Sequence, residues 1–464
     1  MRYKLIAVFT VAILAVITAL VVNFSGKLAD TKQMETPSDT EETSYAYSYD
    51  GSAFTSSLPL VLIETSDGNM PATTEPIWCN LYIIDNESGE NCPGDQPALS
   101  VVSTIRIRGN SSLTFSKKSY RIECYTQTGG DNEKNVSILG MAEESDWVLN
   151  GPYLDHTQMR NKLIYDVSRE LMEWAPDSRF CELYVNGVYR GIYVVIESIK
   201  ASESRLDLTD YSLLSGKTSY ILEGDRWGSE TNVIDDFGME AGYEYFPFSV
   251  KFPNVANLTS VEEQWITSDF SEIQRVLYSD YFDDPERGYT AYLDVDSFAT
   301  YYLINEFAMN IDIGYWSTFY YKDLNGKLMA GPVWDFNNAF DHFVGEELSP
   351  NGFYVADNGW FARLLQDRAF ADVVCRQWRE MRAGVLSDEA LLAQIDNNVN
   401  LLGDAITRNF EVYQSTFVYG ILERDESEQI TSYEMAIDQL KTCIVEHGAF
   451  MDENIEKLYN YCIN

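Results

Sequence analysis

Residues 310–341 read NIDIGYWSTFYYKDLNGKLMAGPVWDFNNAFD, and their order sets the expected fold. STFYYKD (317–323) and KLMAGPVWDF (327–336) are strand-like runs on either side of Asn325-Gly326, a dipeptide suited to the positive φ angles of a tight hairpin turn. A helix capped by Asp296 is expected to run to about Met309. Asp312 then stands in the short loop before the hairpin, and Asp335 ends its second strand. Two carboxylates thus flank one hairpin at element ends, where side chains from different elements converge.

Upstream, residues 54–225 are strand-rich. LPLVLIET (58–65) and CNLYIID (79–85) are β-like, while STIRIRG (103–109) and SYRIECYT (119–126) alternate apolar and polar residues with period two. A helix is expected over 155–172, with Asp155 as N-cap and Met159, Leu163, Val167 and Leu171 on one face. FCELYVNG and YRGIYVVIE form a hairpin through Asn186-Gly187. From about 256 the pattern turns helical: Ser260 and Glu263 fit a capping box, and Ile266, Phe270, Ile273 and Leu277 trace one apolar face. No repeat of 20–50 residues is visible.

The 464 residues carry 33 Lys+Arg against 72 Asp+Glu, a net charge of −39, with 45% hydrophobic residues. That composition buries a core and excludes general disorder. The charge argues against nucleic acid as a partner, because a phosphate backbone is repelled. At the N-terminus Arg2 and Lys4 precede an apolar run, Leu5–Val22, followed by a Thr/Ser/Glu/Asp-rich stretch. Residues 1–26 are expected to be a signal-anchor or a signal peptide and 27–54 a flexible acidic stalk. Both forms put the rest outside the cytoplasm, membrane-anchored through residues 5–22 or secreted. Among seven cysteines, Cys79 with Cys92 and Cys443 with Cys462 are the candidate bridges. Three histidines and the lack of C-x-x-C leave little basis for a zinc site or a Ser-His-Asp triad.

Helix, catalytic-loop Asp, hairpin and metal-binding Asp follow one another in this order in a protein-kinase active site. Such a site needs one carboxylate to take the proton of the acceptor hydroxyl. It needs another to hold Mg²⁺, which prefers hard oxygen ligands. Asp312 and Asp335 fit those two roles, and Ser317 stands five residues after Asp312, where a second metal ligand is expected. The same acids also read as solvated groups of an acidic chain. The loop IRIRG-NSSLTFSKK-SYRIEC presents Asn110 and Ser111, whose amides suit phosphate, with Arg108, Lys117 and Lys118 in reach. It reads equally as a polar hairpin loop. Arg160 on the helix either bridges to phosphate or forms a surface pair. Glu197 ends the strand that leads to the second half, where an adenine would lie.

Several segments together resemble the CotH-type spore-coat kinase family: RIRGNSSLTFSKKSYRI (106–122), DWVLNGPYLDHTQMRNKLIYDVSREL (146–171), LYVNGVYRGIYVVIESIK (183–200), YILEGD (220–225), 310–341, and WFARLLQDRAFADVVCRQWREMR (360–382). The resemblance implies an α+β, divergent protein-kinase-like fold of two lobes, a β-rich lobe over 55–199 and a helical lobe over 200–464. It also implies ATP with Mg²⁺ or Mn²⁺ as cofactors and a protein substrate phosphorylated on Ser/Thr, a coat or surface protein. Asp312 falls at the family's catalytic aspartate and Asp335 at its metal-binding aspartate. Ser317 stands where better-studied members have Asn, and Asn337 where a second acid is frequent. These departures favour the rival reading, a catalytically weak or inactive pseudokinase that acts as an interaction protein. A carbohydrate-active protein is a third reading, since glycosidases also use two carboxylates.

Overall fold

Alternating strands need their neighbours before they show which surface they build, and here seven of them close on themselves. The computed structural model describes residues 54–464 apart from 210, 213–214, 227–231, 245, 343–347, 414–429, 464 and the side chain of Ser111. The strands are β1 (Leu60–Thr65), β2 (Ile77–Ile84), β3 (Leu99–Arg108), β4 (Ser119–Tyr125), β5 (Asp146–Asn150), β6 (Ser178–Val185) and β7 (Val188–Glu197). They form a closed barrel in the order β1-β2-β3-β4-β5-β7-β6. Neighbours are antiparallel except at the closure, where β1 and β6 run parallel with Leu60 opposite Glu182 and Ile63 opposite Val185. The inward positions, among them Val61, Leu81, Ile105, Ile122, Trp147, Leu183 and Val195, fill the barrel core. Each such side chain contributes about 1.5–3 kcal/mol by leaving water.

The outer face of β5, β6 and β7 is also apolar. Val148, Phe180, Ile192, Val194 and Ile196 pack into a second, larger core, which is why GIYVVIE is a continuous hydrophobic run. Helix α1 (Arg160–Leu171) covers that face with Leu163, Ile164 and Val167. A second antiparallel sheet follows, built from β8 (Tyr220–Gly224), β9 (Phe248–Phe252), β10 (Thr318–Lys322) and β11 (Leu328–Ala330) in the order β11-β10-β8-β9. Around it lie α2 (Phe237–Ala241), α3 (Ser260–Leu277), α4 (Val295–Phe307), α5 (Phe361–Leu364), α6 (Arg368–Arg382), α7 (Asp388–Leu402), α8 (Ala405–Tyr413) and α9 (Tyr433–Asn454). From Phe298 to Phe307 every residue of α4 is buried, so it forms the centre of the larger core and leads straight to Asp312.

The α+β composition stands, but the two-lobed kinase-like architecture does not. The N-terminal half is a closed seven-stranded barrel, the second half carries its own four-stranded sheet, and all described residues belong to one compact unit. Closure depends on a parallel pairing across more than a hundred residues, which alternation within each strand does not encode. Helix starts also differ. Thr259 with Glu262, not Ser260 with Glu263, makes the capping box, and Asp294 rather than Asp296 caps α4. No disulfide joins Cys79 to Cys92 or Cys443 to Cys462. Cys79 points into the barrel core, and the Cys462 thiol donates to the Leu365 carbonyl at 3.5 Å. The apolar run Leu5–Val22 and the acidic stretch after it lie outside the described residues. Among the described residues no helix is long and apolar enough to cross a membrane.

Candidate active site

The hairpin β10–β11 and the loops at its two ends bring Asp312 and Asp335 together. Asp312 opens a turn in which its carbonyl accepts the amides of Tyr315 and Trp316, at 3.2 and 2.9 Å. Asn358 holds that loop from below, donating to the carbonyls of Ile311 and Ile313 at 3.0 and 3.1 Å. Gly314 allows this contact: its φ is +86°, and a Cβ there would lie 3.1 Å from that of Asn358. The Asp312 carboxyl is half-buried and accepts from Asn338 Nδ2 at 3.2 Å. Burial raises its pKa to about 6, opposed by Arg226 and assisted by the charge of Asp335. A carboxylate tuned there is ionised at neutral pH and still basic enough to take a proton.

Asp335 has a φ of +59°, a left-handed conformation that Asp tolerates better than most residues. The segment that follows is tied down by helix α1. Asn161 Oδ1 accepts the Phe336 amide at 2.6 Å, its Nδ2 donates to Asn337 Oδ1 at 2.9 Å, and Asn337 in turn donates to the Asp335 carboxylate. The Tyr165 hydroxyl accepts the Asp335 amide at 3.3 Å, and its ring stacks against Trp334. The Asp335 carboxylate is crowded by protein atoms yet open to water. Burial raises its pKa, and Arg108 pulls it back.

Arg108, at the end of β3, is the barrel's contribution. Its guanidinium lies 5.4 Å from the Trp334 ring and acts electrostatically on Asp335. Among the described residues it makes no ion pair or hydrogen bond, so its fork of donors is available to an anion. Ser317 precedes β10, is half-buried and has a φ of +50°.

The other residues singled out from sequence are engaged elsewhere. Lys117 is buried, donating to Gln158 Oε1 and Asn409 Oδ1, both at 2.8 Å, with the rings of Tyr193 and Tyr413 beside it. Lys118 folds back onto the Leu113 carbonyl at 2.6 Å. Asn110 is exposed at the start of a 3₁₀ turn, Ser111–Thr114. Arg160 is fully buried, with Asp155 Oδ1 at 2.5 Å, the Ala339 carbonyl at 3.0 Å and Gln439 Oε1 at 2.8 Å as acceptors. Glu197 is buried against Arg205 at 2.9 Å and accepts the Asp177 amide at 3.0 Å. These four charged residues brace the fold around the site. Sequence reasoning passed over Asn338, Asn358, Asp225 and Arg226. Two of them left a trace in the motif strings, Asn338 in WDFNN and Asp225 in YILEGD.

The donor set suits a hard divalent cation shared with phosphate oxygens: two carboxylates and neighbouring amide groups. Among the described residues no three His, Cys, Asp or Glu side chains converge on one metal position, so substrate oxygens would complete the shell.

Compared with known proteins, residues 105–451 match the family described as CotH kinase protein. The inner spore coat protein H of Bacillus subtilis (strain 168) is 28% identical over 143 residues, 30% of this chain. The chain spans 35% of that relative's length.

Proposed function

The chain belongs to the CotH kinase protein family, and on that premise we propose that it transfers the γ-phosphoryl group of ATP to Ser/Thr hydroxyls of a protein in a spore coat or at a cell surface. The observation that carries this reading is the pairing of Asp312, lifted to about 6, with Asp335 and the uncommitted Arg108 guanidinium.

In this reading Asp335 would hold Mg²⁺ or Mn²⁺, and Ser317 would offer a further oxygen ligand. When bound, the cation neutralises the β- and γ-phosphate oxygens. Arg108 receives phosphate oxygens from the barrel side. Asp312 orients the acceptor hydroxyl and takes its proton while the new O–P bond forms and the bond from the γ-phosphorus to the bridging oxygen breaks, releasing ADP. Asn338 keeps Asp312 turned to the cleft, and Asn161 and Asn337 do the same for Asp335. The name of the Bacillus relative, an inner spore coat protein, supports a spore-coat location, where coat proteins would be within reach as acceptors. A second reading, nucleotide binding without transfer, is favoured by Ser317 and Asn337, which supply weaker oxygens than the family pattern.

The test is ATP binding to the full chain by calorimetry, with and without Mg²⁺ or Mn²⁺. Cation-dependent binding that disappears in Asp335→Asn supports the assignment. Equal binding by the variant rejects it.

A further inference from the structure

We infer that Arg226 is a further catalytic residue of this site, the side chain that neutralises charge on the phosphoryl group during transfer; this rests on the phosphoryl-transfer reading above. Arg226 leaves the end of β8, two residues beyond Gly224, which pairs with Thr318 of β10. The pairing sets Arg226 beside the loop that carries Asp312. The turn is fixed from both sides: the Asp225 amide donates to the Pro247 carbonyl at 3.2 Å, and Asp225 Oδ1 accepts the Arg226 amide at 2.7 Å. Gly224 lets the strand approach, since a Cβ there would lie 3.0 Å from the rings of Phe246 and Phe248.

The guanidinium rests on the Trp316 ring at 4.1 Å. A planar cation on an indole face is held in position and orientation, which an ammonium would not be. From there it acts on both carboxylates. It is the foremost charge partner of Asp312, and it also acts on Asp335, where Arg108 is the stronger influence. Two arginines, each against a tryptophan, therefore flank the acids. Arg108 serves the metal-binding acid, and Arg226 spans the metal-binding acid and the base. The group in flight passes between those two acids, and its equatorial oxygens carry the charge that develops. A cation preplaced there acts on the transition state more than on the bound nucleotide.

A counter-ion with a purely structural part would also sit near two carboxylates, so the experiment separates the two. Arg226→Ala and Arg226→Lys are made in the full chain and assayed for ATP turnover and autophosphorylation. ADP with aluminium fluoride and Mg²⁺ serves as a probe of the transition-state charge. The expected result is a fall in kcat of about 100-fold or more in Arg226→Ala, with KM for ATP within about threefold. Arg226→Lys recovers less than a tenth of the lost rate, and the variants lose the preference for the aluminium fluoride complex over ADP alone. Retained kcat and retained preference in Arg226→Ala, with the parent active, overturn the role of Arg226 and leave the phosphoryl-transfer reading standing. A parent chain that neither binds ATP nor turns it over overturns both. A loss confined to KM overturns the role in favour of ground-state binding.

Discussion

Replacing Asn161 with Ala probes how the fold holds the site. Asn161 is buried on α1 and joins that helix to the segment after Trp334, accepting the Phe336 amide at 2.6 Å and donating to Asn337 Oδ1 at 2.9 Å. Phe336 is fully buried, so removing its acceptor leaves an unpaired amide in the core. Such an orphan costs about 1–3 kcal/mol, and the second hydrogen bond adds roughly 1 kcal/mol. The expected destabilisation is therefore about 2–4 kcal/mol, or roughly 2–5 °C in melting temperature for a chain this long. Because Asn337 also donates to Asp335, freeing it should weaken Mg-ATP binding about tenfold. Asn337→Ala should reproduce that binding loss with a stability cost below about 1 kcal/mol, since Asn337 is only half-buried. Thermal melts and calorimetry on the two variants read both quantities. Asn161→Ala with the parent's melting point and the parent's affinity would refute the linkage between α1 and the acids.

Arg160→Met should cost about 3–5 kcal/mol by leaving the Asp155 carboxylate in the core without its guanidinium partner, where the two side chains are 0% and 2% exposed. Any folded fraction should bind ATP as the parent does, and a selective loss of affinity would instead make Arg160 a phosphate ligand. Glu244, buried beside Asp236, Gln274, Tyr278 and Trp360, has its pKa pushed up to about 8, by burial first and then by Asp236. A raised carboxyl binds a proton in the fold that the unfolded chain releases. Its contribution is therefore full below about pH 4.5 and is lost as pH rises through about 8, on the order of 5 kcal/mol at most. Glu244→Gln should flatten the fall in urea stability between pH 5 and 8, and an unchanged slope would contradict the assignment. Ser317→Asn should tighten Mn²⁺-dependent ATP binding several-fold, about 1 kcal/mol. Equal binding by Ser, Asn and Ala at position 317 would remove it from the ligand set.

Most barrel strands and the Asn186-Gly187 hairpin were legible because they depend on neighbours within ten residues. Asn186 and Gly187 do take the positive φ angles, +50° and +74°, that the dipeptide implies. Asn325-Gly326 does lie in the turn between β10 and β11, but neither residue takes a positive φ, and the second strand ends at Ala330, short of Asp335. Barrel closure was not legible, because nothing local in LPLVLIET signals a parallel partner at Glu182–Val185. The two acids stood out by motif order, whereas the fate of the long basic side chains was set by distant partners. Lys117 looked like a loop lysine until Asn409, 292 residues away, supplied its acceptor. Arg226 was invisible for the converse reason. It belongs to no periodic pattern, and only the β8–β10 pairing carries it to Asp312.

The most direct test of the central claim incubates the full chain with γ-labelled ATP and Mg²⁺ or Mn²⁺ and maps the label by mass spectrometry. The account predicts cation-dependent phosphate on Ser or Thr, on the chain itself or an added acceptor protein. Both Asp335→Asn and Asp312→Asn should abolish it, while Asp312→Asn still binds ATP. Label that persists in either variant at the parent's level, or a parent chain that transfers nothing with either cation, would contradict it.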